Sequence, residues 1–254
     1  MKILKKIGLF IGACYLMTAC SPKENRTSLG IPIAKSELKF AVTQQAGHDN
    51  VIMVKNNTPG IIPFWDFGNG VSNKQQDTTI LPFAGEFFIR FTAYSKGGPV
   101  SDSVKVKISN NDANYFKSPM WNLLTNGIAG KTWVWAADNP TGWVHGNGPQ
   151  DAVVPQWWQV PASGLGADLN DEMSFNINGN ANYLKITGKG QTKGIFTLDT
   201  LNKTLKITGA DISEGSGNST LYNIAKLTEN ELTIVQIGNG FSNQWLFKRK
   251  GYKY

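Results

Sequence analysis

Two long regions of the chain alternate hydrophobic and polar residues with the period of β-strands. In residues 38–110 the alternating apolar positions include Phe87, Ile89, Phe91, Val104, Val106 and Ile108. Successive side chains of a strand point to opposite faces of a sheet, so one face of each strand is expected to be buried. Turn-forming groups at 56–60 and 96–99 separate the strands. The pattern predicts a small antiparallel β-sandwich.

One turn of this region has a distinctive sequence, Trp-Asp-Phe-Gly-Asn-Gly at residues 65–70. Alternation puts Trp65 and Phe67 on the buried face, while Asp66 can accept backbone hydrogen bonds and the two glycines allow positive φ. The segment resembles the aromatic-Asp-Phe-Gly-Asp-Gly turn of PKD domains, with asparagine where the family commonly has aspartate. The resemblance implies a seven-stranded immunoglobulin-like sandwich at 38–110 that acts as a spacer or interaction module.

A short helix is predicted in the linker, residues 111–130. Ser118 is a suitable N-cap, Pro119 fits the first helical position, and Gly127 follows the expected end. Trp121 and its apolar neighbours lie at helical spacing, so they are expected to pack against the second domain.

The second region, residues 131–254, again alternates with period two. Its inward candidates include Trp133, Trp135, Phe175, Ile177, Leu184, Ile186, Phe196, Leu198, Leu205, Ile207, Leu232, Ile234, Trp245 and Phe247. Seven or more strands with almost no helix predict an up-and-down barrel, and a jelly roll is the alternative. The segments 194–207 and 222–247 resemble the meander of bacterial lipocalin-like domains. The expected fold class is therefore all-β, a sandwich followed by a lipocalin-like antiparallel barrel.

Tryptophans are concentrated between residues 133 and 158, which hold five of the eight in the chain. The segment 139–169 is rich in Gly, Pro and Asn, so several of these tryptophans are expected on loops, where exposure needs a functional reason. Sugars present flat C–H faces that stack on indole rings, and hydroxyls that pair with amides, imidazoles and carboxylates. The predicted glycan-binding residues are Trp135, Asp138, Trp143, His145, Gln156, Trp157 and Trp158.

Four tryptophan positions have a competing structural interpretation. Trp133 is expected to plug the barrel, and Trp135 fits the core and the glycan site equally well. Adjacent residues of an extended segment point opposite ways, so one of Trp157 and Trp158 is expected to be buried and the other exposed.

The N-terminal residues 1–19 have the features of a secretory signal peptide. Three lysines precede an apolar stretch at 7–17, and the segment 16–20 ends in Ala19-Cys20. This is typical of a lipoprotein signal cut before Cys20, and lipid on that cysteine would supply the chains needed for stable anchoring. Residues 20–37 are polar and contain Pro and Gly, so they are expected to form a lipidated tether.

The charge of the chain does not indicate a nucleic-acid partner. The net charge is +7, and removal of the three signal-peptide lysines leaves +4. The remaining lysines, among them Lys105, Lys107, Lys185 and Lys206, are scattered along predicted strands, where solvated sheet faces are expected. After Cys20 no apolar run reaches the ~20 residues of a spanning helix.

The motifs at 131–135, 145–149 and 157–158, Lys-Thr-Trp-Val-Trp, His-Gly-x-Gly-Pro and Trp-Trp, together resemble PKD-containing lipoproteins of bacterial polysaccharide-utilisation systems. The resemblance covers nearly all of the mature chain. It implies a non-catalytic, surface-exposed outer-membrane lipoprotein that captures a polysaccharide, such as a β-glucan, beside an outer-membrane glycan transporter. No cofactor and no metal ligand set is expected.

Two other functions remain open at this point. A glycoside hydrolase needs two carboxylates about 5 to 9.5 Å apart, and the candidates are Asp138, Asp151, Asp168, Asp171 and Glu172. No spacing among them is diagnostic. The lipocalin-like meander alternatively suits a carrier of a small apolar ligand, although polar, Trp-rich loops fit that function poorly.

Overall fold

The computed structural model of the chain describes residues 30–212 and 221–254. The expected signal peptide 1–19, Cys20 and the first part of the tether lie outside the described residues. From residue 30 onward the chain lies against the sandwich: Gly30 N donates to Lys96 O at 3.1 Å, and Lys35 pairs with Asp102 at 2.8 Å. A short 3-10 helix, Lys35–Glu37, follows within the segment expected to be tether. None of the described helices is long and apolar enough to cross a bilayer.

The first domain is a β-sandwich, as predicted. Over residues 38–110, which the structure describes in full, its strands are β1 (Phe40–Gln45), β2 (His48–Asn56), β3 (Ile62–Asp66), β4 (Val71–Ser72), β5 (Gln76–Ile80), β6 (Gly85–Ser95) and β7 (Gly98–Ile108). They form two antiparallel sheets, in the orders β1-β2-β5 and β4-β3-β6-β7. The core between the sheets includes Trp65, Ile89 and Phe91, whose side chains are fully buried.

The turn at 65–70 closes the hairpin β3–β4. Trp65 and Phe67 are both buried in the sandwich, and Asp66 Oδ1 accepts a hydrogen bond from Gly68 N at 2.9 Å. Of the two glycines only Gly68 has a positive φ, 81°; the other, Gly70, contributes its carbonyl, which accepts from Phe67 N.

The linker contains the helix α1 (Pro119–Thr125), which begins after Ser118 as predicted. Asn126, in the left-handed conformation, ends the helix. Gly127 also has a positive φ and begins the separate 3-10 helix Gly127–Ala129. Trp121 and Leu124 are buried in the core of the second domain.

The second domain is an antiparallel barrel rather than a jelly roll. Its strands in the described residues are β8 (Lys131–Trp135), β9 (Trp143–Gly148), β10 (Trp158–Pro161), β11 (Glu172–Asn176), β12 (Asn182–Thr187), β13 (Gly190–Asp199), β14 (Thr204–Thr208), β15 (Leu221–Leu227), β16 (Glu231–Ile237) and β17 (Ser242–Arg249). Eight of these described strands close a ring in the order β8-β11-β12-β13-β14-β15-β16-β17, with β17 pairing back to β8. The strands β9 and β10 stand outside this ring and are named the flap below.

Large side chains fill the interior of the barrel. Trp133, Trp135, Tyr183, Tyr222, Phe175, Trp245 and Phe247 are all almost completely buried. Short helices cover the two ends: Trp133 Nε1 donates to Leu124 O of α1, and Trp135 Nε1 donates to Asp168 O, both at 2.9 Å. Asp168 belongs to the 3-10 segment Ala162–Asn170. The end of the barrel that the segment Ala162–Asn170 covers is called the far end.

Lys185 departs from the expected solvated position. The residue is buried at the far end of the barrel, where Nζ lies 3.2 Å from both carboxylate oxygens of Asp211 and 3.8 Å from Asp171 Oδ2. Burial raises the pKa of Asp171, and the nearby Lys185 ammonium opposes that rise. An ion pair therefore lies where the alternation predicted an exposed lysine.

Candidate functional site

The flap continues the barrel wall beyond the point of closure. One edge of β17 is divided between two partners, because its residues 247–249 pair with β8 and its residues 242–245 pair with β9. The outer edge of β9 then pairs with β10, from Trp158↔Asn147 to Pro161↔Trp143. Strands therefore carry Trp143 and Trp158, which were expected on loops.

Two glycines of β9 allow the chain to fold over the flap. A Cβ at Gly146 would lie 2.0 Å from Trp158 O, and one at Gly148 would lie 3.0 Å from the Ala152 Cβ. Real Cβ atoms do not come this close to a backbone oxygen, so only glycine fits at residue 146. The His-Gly-x-Gly-Pro motif thus explains how residues 149–158 pack directly on β9.

Asn147, between these glycines, holds three successive backbone N–H groups. Its carbonyl oxygen accepts from Gln156 N at 2.9 Å and from Trp157 N at 3.0 Å, and its side-chain Oδ1 accepts from Trp158 N at 3.0 Å. One residue therefore fixes the backbone that carries both adjacent tryptophans.

An aromatic column runs from the barrel core to the surface. His145 stacks on Trp245 with ring centroids 5.1 Å apart and an interplanar angle of 26°, and it meets the edge of Trp158 at 5.1 Å and 81°. Trp245 in turn contacts Tyr222 at 5.8 Å. Trp245 is fully buried, His145 is 6% exposed and Trp158 is 53% exposed. The exposed indole of Trp158 therefore rests on a rigid base.

The protonation state of His145 follows from its buried partner. Its Nδ1 lies 2.8 Å from Gln244 O, which can only accept, so Nδ1 carries the proton and Nε2 is left as an acceptor in the neutral ring. Burial lowers the pKa of His145, and the hydrogen bond to Gln244 only partly opposes that shift. His145 therefore supports Trp158 as a neutral side chain.

Both tryptophans of the pair at 157–158 are exposed, which corrects the expectation that one is buried. Trp157 is 61% exposed, slightly more than Trp158. The neighbours Gln156 and Gln159 are also exposed, and the Gln159 Nε2 donates to Pro155 O. The surface of the flap thus presents two indoles flanked by neutral amides.

Four of the predicted site residues do not lie on the exposed surface of the flap beside Trp157 and Trp158. Trp135 is 2% exposed in the barrel core, so the core interpretation is correct and the ligand-binding one is wrong. Trp143 begins β9 and is half-buried, with its carbonyl held by Asn139 Nδ2. Asp138 forms an ion pair with Lys248, and hydrogen bonding to that ammonium lowers the pKa of the carboxyl. His145 is also buried, beneath the surface rather than on it.

Residues that the sequence did not single out complete the site. Trp245 and Gln244 support His145 from a strand about 100 positions away in the sequence, which no local pattern reveals. Gln159 follows the tryptophan pair directly, and alternation on the same strand could have identified it. Within the described residues, no group of three or more His, Cys, Asp or Glu side chains could hold a metal ion.

Comparison of the chain with protein-family models gives no match, and comparison with curated proteins finds no significantly similar sequence.

Proposed function

We propose that the chain is a non-catalytic glycan-binding lipoprotein that captures a polysaccharide on the β9–β10 flap. The observation that carries the proposal is Trp158, an indole more than half exposed and fixed against the buried His145. An aromatic ring that is already held in place loses little conformational freedom when a ligand stacks on it, so its contact area contributes efficiently to affinity.

The chemistry around the two indoles suits neutral sugar hydroxyls. The amides of Gln156 and Gln159 can both donate and accept hydrogen bonds, as the hydroxyls of a sugar can. Trp157 and Trp158 follow each other on an extended segment, so they offer two stacking surfaces in different directions. Trp135 and His145 shape the site from below instead of touching the ligand.

The alternative functions have less support. Aromatic side chains fill the barrel interior, so the space that a carrier of an apolar ligand needs is taken up by Trp133, Tyr183 and their neighbours. Several candidate carboxylates for a hydrolase are engaged with lysines, in the pairs Asp138–Lys248, Asp171–Lys185 and Glu172–Lys250.

The location proposed for this protein is the outer membrane, with the chain displayed on the cell surface. It rests on the sequence of residues 1–20, where the signal peptide and Cys20 favour lipid anchoring. An outer-membrane glycan transporter is the proposed partner, and it would take up the captured polymer.

Affinity electrophoresis and calorimetry against a panel of polysaccharides test the proposal. Trp158→Ala is expected to weaken binding about 10- to 30-fold, the usual cost of removing a central aromatic contact. Phe88→Ala is the matched control, because Phe88 is an exposed aromatic residue on the sandwich, 63% exposed. Release of reducing sugars would contradict the non-catalytic function, and unchanged affinity after loss of both Trp157 and Trp158 would contradict the site.

A further inference from the structure

A concave surface, separate from the flap, lies on the outer wall of the barrel. It is a cavity of about 390 Å³ whose lining includes Thr233, Leu246, Pro140, Val153, Tyr252 and Tyr254. Its volume lies within the range of about 300–1,000 Å³ that is typical of small-molecule sites. This cavity is named the tyrosine cleft.

The floor of the cleft is shielded from water although it lies on the outside of the barrel. Leu232 and Ile234 of β16 point into the core, so Thr233 between them points outward. Thr233 is nevertheless only 5% exposed, and Leu246 of β17 is similarly buried. Residues 139–141 and 153–154, together with the two tyrosines, form the surrounding walls.

The rim of the cleft carries a fixed polar group. Glu231 Oε1 accepts from the Tyr254 hydroxyl at 3.0 Å, and Glu231 Oε2 lies 2.7 Å from Lys226 Nζ. Hydrogen bonding to Lys226 lowers the pKa of Glu231, so the carboxylate is ionised at neutral pH. The pair has no net charge and offers acceptor and donor atoms side by side.

The two tyrosines and the floor complete a surface of mixed character. The rings of Tyr252 and Tyr254 meet edge to face, 5.3 Å apart at 69°. Asp138, next to the wall residues 139–141, forms an ion pair with Lys248 of β17. Thr233 lines the cleft and supplies the side-chain hydroxyl of its floor. A hydroxyl on an otherwise apolar floor can donate to or accept from one hydroxyl of a bound sugar.

We infer that the tyrosine cleft is a second binding site for a neutral saccharide, separate from the flap. Aromatic rings with a hydroxyl and a neutralised Glu–Lys pair match the apolar faces and paired hydroxyls of a sugar, whereas a charged ligand would meet a like charge on one side of the pair. The choice of a saccharide rests on the proposed function, but the cleft exists independently of it. Two sites on one molecule would bind a polymer more tightly than either alone. Asp138, predicted as a sugar ligand, lies beside the cleft wall at 139–141 and is paired with Lys248.

The test is an NMR titration of amide shifts with two neutral β-glucan oligosaccharides, laminarihexaose and cellohexaose. Trp158→Ala removes the flap site, and in that variant shifts at Glu231, Thr233 and Tyr254 are expected to persist. Adding Thr233→Val, which keeps the shape of the side chain but removes the hydroxyl, should weaken this binding about three- to tenfold. Thr197→Val, at an exposed threonine on the outer wall, is the matched control and should leave it unchanged.

The possible results separate the two proposals. Amide shifts that appear only at Gln156–Gln159 in wild type, and of which none remain in Trp158→Ala, would overturn the second site. They would leave the proposed function intact. Shifts confined to the cleft, unaffected by Trp158→Ala, would support the second site and overturn the flap. Absence of binding by either oligosaccharide would overturn both.

Discussion

His145 shows how a buried residue can set the position of an exposed one. As a histidine in a Trp-rich segment it was expected among the sugar contacts, yet it lies beneath Trp158 and on top of Trp245. Its position depends on a stack and on one hydrogen bond to Gln244 O, and both partners come from β17. The sequence pattern therefore located His145 near the exposed tryptophans, but the role as a sugar contact that it suggested does not fit a buried ring held by a distant strand.

The burial of His145 predicts a pH dependence of stability. Because its pKa is lowered in the folded protein, the unfolded chain takes up a proton first, at about pH 6.5. The contribution of neutral His145 to the free energy of unfolding is therefore complete above about pH 6.5. It declines as the pH falls toward the lower pKa of the folded state. His145→Phe retains a ring but cannot titrate, so this component of the decline should disappear.

Urea unfolding at pH 7.5, 6.5 and 5.5 measures the effect. His48→Phe, at an exposed histidine of the sandwich, is the control and should retain the wild-type profile. Parallel profiles for wild type and His145→Phe would show that His145 has no such role.

At the level of elements, the flap depends on two glycines of β9, which have no side chain to keep the covering segment away. Alternation does not identify β9 and β10, since Gly146 and Gly148 interrupt one strand and Pro161 ends the other. Glycine is usually a sign of a loop, but here it marks the close approach of two backbone segments. The segment expected to be a loop therefore contains an ordered pair of strands.

Gly146→Ala should disrupt this element specifically. The added methyl group would collide with Trp158 O, and relief of the overlap must shift β10, at a cost of about 1–3 kcal/mol. Polysaccharide affinity is expected to fall at least as far as in Trp158→Ala, while the circular dichroism of the barrel remains. Gly188→Ala is the control, because a Cβ there has no heavy atom within 4 Å and no unusual φ. Equal affinity of Gly146→Ala and wild type would contradict the role assigned to the glycine.

The parts of the fold that were predictable are those with local signals. Period-two alternation identified strands such as β6 and β7, and Pro119 with Ser118 located the helix. The residues 65–70 were correctly assigned to a turn that buries Trp65. The positions of other side chains depend on residues distant in the sequence. Trp135 is covered by the segment that contains Asp168, and the buried Lys185 is paired with Asp171 and Asp211.

At the level of the whole molecule, an aromatic chain joins the sandwich to the barrel. Phe83, from the β5–β6 connection, contacts Phe116 of the linker at 5.3 Å, and Phe116 contacts Trp121 of α1 at 4.9 Å. Trp121 reaches Phe196 of the barrel at 5.9 Å. A hydrogen bond from Asn111 Nδ2 to Ile177 O, 3.3 Å long, lies at the same junction.

Phe116→Ala should therefore weaken the coupling between the two units. Phe116 is only partly buried against the barrel core, and its removal breaks the chain of contacts between the two units. Scanning calorimetry is therefore expected to show a wider separation between the melting of the sandwich and that of the barrel. Phe88→Ala removes an exposed ring from the surface of the sandwich and should leave the calorimetric profile as in wild type. An unchanged profile for Phe116→Ala would mean that the ring does not couple them.

The divided edge of β17 has a consequence for how such a molecule can diversify. Because β8 rather than β9 completes the ring of strands, the hydrogen-bonded circuit of the barrel does not pass through residues 136–161. The segment lies between β8 and β11 along the chain, so a change in its length or sequence leaves the strand pairs of the ring in place, while His145 covers Trp245 from within it. Under the proposed function, exchange of this segment for one with other aromatic residues is expected to change the bound polymer while the barrel keeps its closure.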